Sequence, residues 1–345
     1  MPQITLGRCG LKIEKNSFGC LPIQRVNQNQ ATYLLQKAVD GGINFFDTAR
    51  LYSDSEEKLG AAFSSLQRSK LIIATKSHKS SGEKMLKDLE TSLKNLRIDY
   101  IDIYQFHNPS FCPLPGGEDG LYDAAKEAQR QGKIRFIGLT NHRFSVAQEA
   151  LQSELYDTIQ YPLSYLSHKK EQQFARDCAA KNIGFIAMKA LAGGLITNTV
   201  AAAAFFTDYQ KLAAIWGIQA QWQLEQFLAF IDNEPQLNKE LLKAIKKDRS
   251  ELSGNFCRSC AYCQPCPTGI EIHNAARMSL LLRRAPAADF LSAEWQKKMA
   301  KTLDCTNCGQ CVRRCPYKLD IPHLIKENYC DYLTFIDQEN NLSNS

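Results

Sequence analysis

The sequence predicts an α/β chain built as a (β/α)8 barrel, followed by a small, mainly helical domain. Three observations predict it. Before residue 250, short apolar runs alternate with amphipathic helical stretches through eight units. Polar side chains stand at the C-terminal ends of several of those runs, where a barrel gathers them at one mouth. Beyond residue 250, eight of the 13 cysteines fall between Cys257 and Cys315.

The expected strands cover 16–20, 44–47, 71–76, 100–106, 134–139, 158–160, 184–188 and 212–216. Helical patterns fill the gaps, as at 31–41, 84–96, 124–131 and 170–181. Gly41-Gly42, Gly132 and Gly184 sit where helices end and the chain turns. A doubly wound sheet shares this alternation and is the alternative fold. The division expected is a barrel over 1–250, a cysteine-rich domain over 251–330 and a flexible C-terminal tail over 331–345.

At 44% apolar and 23% charged, the chain can bury a full core. Its formal charge of +6 comes without a Lys/Arg block interleaved with aromatics, so nucleic acid is not an expected partner. The longest apolar runs, such as 200–206, fall far short of a membrane span. Met1-Pro2-Gln3-Ile4-Thr5 lacks the basic-then-apolar pattern of a secretory signal, which makes the cytoplasm the expected compartment. There, clustered cysteines point to metal rather than disulfides. Cys9, Cys20, Cys112, Cys178 and Cys330 are scattered outside the cluster.

The first cysteine run is Cys257-x2-Cys260-x2-Cys263-x2-Cys266-Pro267, and the second is Cys305-x2-Cys308-x2-Cys311-x3-Cys315-Pro316. The second has the C-x2-C-x2-C-x3-C-P spacing of ferredoxins, in which a short loop places three thiolates on three irons of a [4Fe–4S] cube. The fourth cysteine ordinarily crosses to the other cluster. The expected sets are therefore Cys257, Cys260, Cys263 and Cys315 on one cluster, and Cys305, Cys308, Cys311 and Cys266 on the other. The first run is one residue short before its final Cys-Pro, which leaves its crossing ligand open. Two structural zinc sites are the alternative, since paired C-x2-C units also bind zinc. Between the runs, 272–284 and 293–303 read as helices separated by Pro286. Arg283-Arg284 and Arg313-Arg314 are a candidate basic docking face for an acidic electron donor, with plain solvation as the bland reading.

At the expected barrel mouth stand Asp47, Tyr52, Lys76, His107, Thr140-Asn141 and Gln160. Singly, each has an ordinary structural explanation; jointly, they suggest a site. A phenol ionises near about 10, and a nearby ammonium favours the phenolate. In this chemistry Asp47 orients Lys76, Lys76 activates Tyr52, and His107 hydrogen-bonds a substrate oxygen. Tyr52 then protonates that oxygen as hydride reaches the carbonyl carbon.

These residues carry a resemblance. Asn44-Phe-Phe-Asp47-Thr-Ala-Arg-Leu-Tyr52, Ala74-Thr-Lys76, Tyr104-Gln-Phe-His107, Gly138-Leu-Thr-Asn141, Ile159-Gln160 and Met188-Lys-Ala-Leu-Ala-Gly193-Gly194 resemble the aldo-keto reductase superfamily. Leu6-Gly7-Arg8-Cys9-Gly10-Leu11-Lys12 resembles the hairpin that plugs the floor of its TIM barrel. Some members carry a C-terminal ferredoxin module with these two cysteine runs, and are generally taken as NAD(P)H-dependent oxidoreductases. The resemblance implies Tyr52, Asp47, Lys76 and His107 as catalytic residues. It implies Gly19, Asp47, Thr140, Asn141, Gln160, Lys189, Gly193, Gly217 and Gln223 as nicotinamide-cofactor contacts.

Two departures stand out. The nicotinamide-stacking tyrosine of the superfamily falls at Leu163, flanked by Tyr161 and Tyr165, which should point elsewhere. The loop 215–227, similar to the adenosine-phosphate loop, lacks the usual basic residue and has Phe227 in place of a common Asn.

A nicotinamide delivers two electrons as hydride, whereas a cubane cluster carries one; a flavin usually joins the two, and no flavin signature is visible. Three readings follow. The chain is an NAD(P)H-dependent reductase of small carbonyl substrates whose clusters are structural or redox-sensing. Alternatively, a ferredoxin-type partner feeds the clusters, which serve the barrel site or an unrecognised flavin. Or the barrel is a scaffold in an electron-transfer complex. The loop 108–120, with Phe111 and Leu114, is expected to wall the substrate pocket.

Overall fold

The computed structural model describes residues 3–252, 256–284 and 287–343. The chain forms two compact units, Met1–Ala190 with Thr199–Leu242, and Leu191–Asn198 with Lys243–Ser345.

The first unit opens with an antiparallel hairpin, β1 (Gln3–Thr5) and β2 (Lys12–Glu14). Eight parallel strands then close a barrel: β3 (Asn16–Gly19), β4 (Phe45–Asp47), β5 (Ile72–Ser77), β6 (Ile101–His107), β7 (Ile134–Thr140), β8 (Thr158–Pro162), β9 (Gly184–Met188) and β10 (Leu212–Gly217). A helix follows each strand in turn: α1 (Gln28–Asp40), α2 (Ser55–Phe63), α3 (Gly82–Leu96), α4 (Leu121–Arg130), α5 (Phe144–Ser153), α6 (Lys169–Ala180), α7 (Thr199–Phe206) and α8 (Gln221–Asp232). This is the predicted (β/α)8 architecture, and the doubly wound alternative falls. Asn27 starts α1 with a capping box, accepting from the Gln30 amide while its own amide donates to the Gln30 side chain.

Side chains from the hairpin fill the barrel floor. Leu6, Cys9, Leu11 and Ile13 pack with Phe45, Ile72, Ile103, Ile186 and Ile215 in one buried cluster. Gly184 belongs to this arrangement rather than to a helix cap. It opens β9, and a Cβ there would lie 2.6 Å from Leu6 Cγ. The left-handed turn after α6 is made instead by Asn182, at φ 58°. Strand β8 runs two residues past its expected end because Tyr161 and Pro162 pair with Ala187 and Met188.

Phe227 also has a packing role. Its ring stacks on Trp216 of β10 with centroids 4.4 Å apart and planes 15° apart, and both are buried. Trp216 in turn donates its indole N–H to Asn16 Oδ1 at 3.0 Å. An aromatic at 227 thus seals α8 onto the barrel, which an Asn could not do.

In the second unit, the helix α9 (Lys239–Glu251), begun in the first, leads to six further helices among the described residues. These are α10 (Ile272–Ala275), α11 (Met278–Arg284), α12 (Ala287–Phe290), α13 (Ala293–Ala300), α14 (Gln310–Arg314) and α15 (Ile321–Ser343). The single helix expected over 272–284 is broken at Arg277, whose amide takes the carbonyl of Asn274, three residues back. The Arg277 guanidinium reaches Gly193 O at 2.6 Å. The helix expected over 293–303 tightens into a 3-10 turn at Lys301–Asp304. Pro286 lies outside the described residues. Residues 331–343, expected as a flexible tail, continue α15, anchored by buried Tyr332 whose hydroxyl donates to Phe290 O at 2.6 Å.

Replacing Phe227 with Ala removes a stacked ring from a closed site. The expected cost is about 3–5 kcal/mol of stability, read as a lower urea midpoint with Trp fluorescence as probe.

Candidate active site and metal centre

The barrel register builds the mouth row by row. Gly217, Gly19 and Asp47 align across β10, β3 and β4; Lys76 aligns with Gln105; His107, Thr140 and Gln160 align across β6, β7 and β8. Paired residues of parallel strands face the same side, so these side chains converge.

Lys76 and Asp47 form the centre. The ammonium lies 2.6 Å from Asp47 Oδ2 and 2.6 Å from Thr48 O, and both residues are buried. Asp47 also accepts from Gln105 Nε2 at 3.1 Å and Gln160 Nε2 at 3.2 Å. Burial pushes the Asp47 carboxyl up; the Lys76 charge and its hydrogen bond, then Gln160 and Gln105, pull it partly back. Above the pair sits Tyr52. Its ring centroid is 5.3 Å from Lys76 Nζ and 5.9 Å from the His107 ring, the rings standing at 84°. Burial pushes the His107 imidazole well below the ordinary histidine range, and the charges of Lys76 and His78 act in the same direction.

Tyr52 reaches this position on a pinned loop. The Thr48 and Arg50 amides donate to Ala74 O and Lys76 O, so the chain after β4 tracks β5. Arg50 then pairs with fully buried Glu56 at 2.5 Å, and Glu56 accepts from Thr75 Oγ1 at 2.7 Å. Sequence reasoning missed Gln105 and Glu56. The spacing of two between Gln105 and His107 places both on one face of β6, a signal that was available; Glu56 gave none, being one of two adjacent acids on α2.

The expected cofactor contacts divide. Gln160 Oε1 and Thr140 Oγ1 are buried and have no hydrogen-bond partner among the described residues. Asn141 is committed elsewhere: its Nδ2 donates to Pro109 O, and its Oδ1 accepts from the Arg143 amide. Gln223 Oε1 accepts from the Gln219 and Ala220 amides at the start of α8. At Gly19 and Gly217 the protein itself favours glycine, since a Cβ would lie 3.2 Å from Trp216 O and 3.1 Å from Pro22 Cγ respectively. Lys189, at φ 59°, directly follows β9, whereas Gly193 belongs to the second unit. Leu163 is buried. Tyr161 donates to Glu171 at 3.1 Å, and Tyr165 packs against Phe205. Arg25 donates to Gln219 Oε1 at 3.5 Å, bringing a cation to the 215–227 loop from a distant part of the chain. Phe111 and Leu114 are exposed, at 39% and 40%.

In the second unit, one pocket is lined by Cys266, Cys305, Cys308 and Cys311, together with Cys263, Ile270, Ile272, Pro322 and Ile325. Among the described residues, no three His, Cys, Asp or Glu side chains close on a single metal-ion position. Gln310 Nε2 donates to Pro265 O at 2.9 Å and Arg314 Nη1 to Gln264 O at 3.3 Å, fastening the second cysteine run to the first. Cys266 Sγ lies 3.4 Å from Thr268 Oγ1, and the Ser259 amide donates to Cys257 Sγ. The two arginine pairs differ. Arg283 makes two bonds to Asp331, at 2.6 and 2.7 Å, and Arg284 pairs with Asp248 and Glu251. Both arginines of that pair are matched by carboxylates of their own unit, although Arg283 itself is exposed.

The aldo/keto reductase family profile matches residues 3–246. The chain belongs to the aldo/keto reductase family. A 4Fe-4S dicluster domain matches residues 256–320 of this aldo-keto reductase. It is 31% identical over 211 residues to L-galactose dehydrogenase of Arabidopsis thaliana, covering 56% of this chain and 66% of that protein. The chain spans about two thirds of the length of the curated relatives it matches. An aldo-keto reductase from Bacillus halodurans, in its holo form, superposes with a TM-score of 0.62 at 21% identity over 72% of this chain and 96% of that one. One from Klebsiella pneumoniae in complex with NADPH gives 0.61 at 22% identity over 72% and 95%. At such identities these two structures bear on the fold alone. No helix among the described residues is long and apolar enough to cross a membrane.

Buried His107 resists protonation, while in the unfolded chain it protonates near about 6.5. The unfolded state therefore binds the extra proton, and the stability His107 contributes falls as pH drops below that value. His107→Gln should flatten this part of the pH dependence between about pH 7.5 and 5.5, measured by urea unfolding.

Proposed function

We propose that this aldo-keto reductase reduces a small carbonyl compound with NAD(P)H as hydride donor and Tyr52 as proton donor. The observation that carries this reading is the sealed Lys76–Asp47 pair directly beneath Tyr52, with His107 at its side. The ammonium stabilises negative charge on the phenol oxygen, and Asp47, fixed by Gln105 and Gln160, keeps that ammonium in place. His107, uncharged at neutral pH, orients the substrate oxygen.

NAD(P)H, when bound, supplies the hydride. Gln160 Oε1 and Thr140 Oγ1 are buried acceptors suited to a carboxamide N–H, and Leu163 offers an aliphatic surface where the family has an aromatic one. That substitution forgoes roughly 0.5–1.5 kcal/mol of stacking. Arg25 is the residue we assign to a 2′-phosphate, which favours NADPH over NADH.

For the second unit we propose two [4Fe–4S] clusters, on Cys257, Cys260, Cys263 and Cys315, and on Cys305, Cys308, Cys311 and Cys266. The pocket that brings Cys266, along with Cys263, to Cys305, Cys308 and Cys311 supports a ligand crossing from the first run to the second. Each cluster, when bound, carries one electron at a time.

Tyr52→Phe should lower aldehyde reduction by about 10²–10⁴-fold while NADPH fluorescence titration still saturates. Absence of binding at millimolar cofactor, or an unchanged rate, would overturn the reading. Arg25→Ala should weaken NADPH by about 10–100-fold in the same titration and leave NADH unaffected.

A further inference from the structure

The two proposed clusters differ in how their ligands meet solvent. Cys257 and Cys263 are buried, and Cys260 and Cys315 are partly covered. Of the other set, Cys308 is exposed and Cys266, Cys305 and Cys311 are partly covered. Electron tunnelling falls steeply with distance, so a protein carrier exchanges electrons through the set whose ligand reaches the surface.

The exposed chain on either side of Cys308 has the composition of a docking face. Leu303, two residues before Cys305, is 71% exposed, and Val312, one residue after Cys311, is 37% exposed. Exposed apolar side chains flanking a redox centre supply the kind of contact found at the middle of a protein–protein interface. Around them, residues 300–318 hold four cations, Lys301, Arg313, Arg314 and Lys318, against one carboxylate, Asp304. Lys301 lies 3.5 Å from Asp304, and among the described residues no carboxylate pairs with Arg313, Arg314 or Lys318. Arg313 Nη1 donates to Cys308 O at 3.3 Å, which holds a positive charge against the backbone of the exposed ligand. Arg283 and Arg284, by contrast, spend their charge on Asp331, Asp248 and Glu251.

We propose that an acidic, one-electron carrier protein docks on the Leu303–Arg314 face and reduces the cluster held by Cys305, Cys308, Cys311 and Cys266. In each encounter the carrier is oxidised by one electron and that cluster is reduced by one; no bond is made or broken. The cations steer a carboxylate-rich surface inward, and Leu303 and Val312 meet its apolar centre. This inference rests on the cluster assignment above and is independent of the chemistry at Tyr52.

The test uses the full-length protein purified without oxygen, with an acidic [2Fe–2S] ferredoxin as probe. Stopped-flow bleaching of the cluster absorbance gives the rate with reduced probe, and calorimetry gives the affinity for oxidised probe. Both should fall about tenfold from low to high salt, and again when the probe's carboxylates are amidated. Arg313→Gln with Arg314→Gln should lower both about tenfold, Leu303→Ser about threefold, and Arg283→Gln not at all. Because Arg313 and Arg314 also hold the cysteine loops, Lys318→Gln serves as a second variant, expected to lower both about threefold at unchanged iron content. Full iron, near about eight per chain, with rates indifferent to salt, amidation and Lys318→Gln would overturn the docking face alone. Wild-type protein without iron would overturn the cluster assignment and the docking face with it.

Discussion

A charge pair sealed inside the barrel mouth constrains everything around it. Lys76 and Asp47 are both buried, and taking two ions out of water costs several kcal/mol apiece unless their remaining donors and acceptors are satisfied. Here they are nearly all satisfied, by Thr48 O, Gln105 and Gln160. The pair and its partners come from β4, β5, β6 and β8 and the loop after β4, so the pair fixes the relative register of half the barrel. A one-residue slip in any of these strands would turn its member outward and strand a charge.

The same logic repeats one layer out. Glu56 is buried without its own solvent and takes Arg50 from the Tyr52 loop and Thr75 from the strand that carries Lys76. Backbone bonds from Thr48 and Arg50 to β5 add to this. The phenol and the ammonium are therefore held by one continuous set of contacts rather than by two independent supports. In the second unit, Gln310 and Arg314 serve an analogous purpose, binding one cysteine run to the backbone of the other.

Much of the barrel was legible because its strands are short, apolar and regularly spaced, and because Asp47, Lys76, His107 and Gln160 each stand at or near the C-terminal end of one. The second cysteine run was legible from its spacing. What escaped depended on contacts distant in sequence. Gly184 looked like a helix cap because Leu6, the residue that needs the space, lies about 180 positions earlier. Arg25 and Gln219 are separated by 194 residues, so the loop read as lacking a cation. Asn141 also ties together the Pro109 carbonyl and the Arg143 amide, a structural duty that its place at a strand end does not announce. Arg283 and Arg284 read as a free basic pair because nothing local announced Asp331, Asp248 or Glu251.

The cysteine-bearing unit is discontinuous: it includes Leu191–Asn198, which leaves the barrel strand β9 long before the first cysteine run begins. Within that unit, Arg277 binds Gly193 O and Arg284 binds Leu195 O. The cysteine-bearing unit is thus no cassette that could be lifted off at a single cut. A truncation near residue 250 would leave this eight-residue excursion behind, its carbonyls stripped of their guanidinium partners. Moving the domain to another barrel would mean grafting two separate pieces of chain.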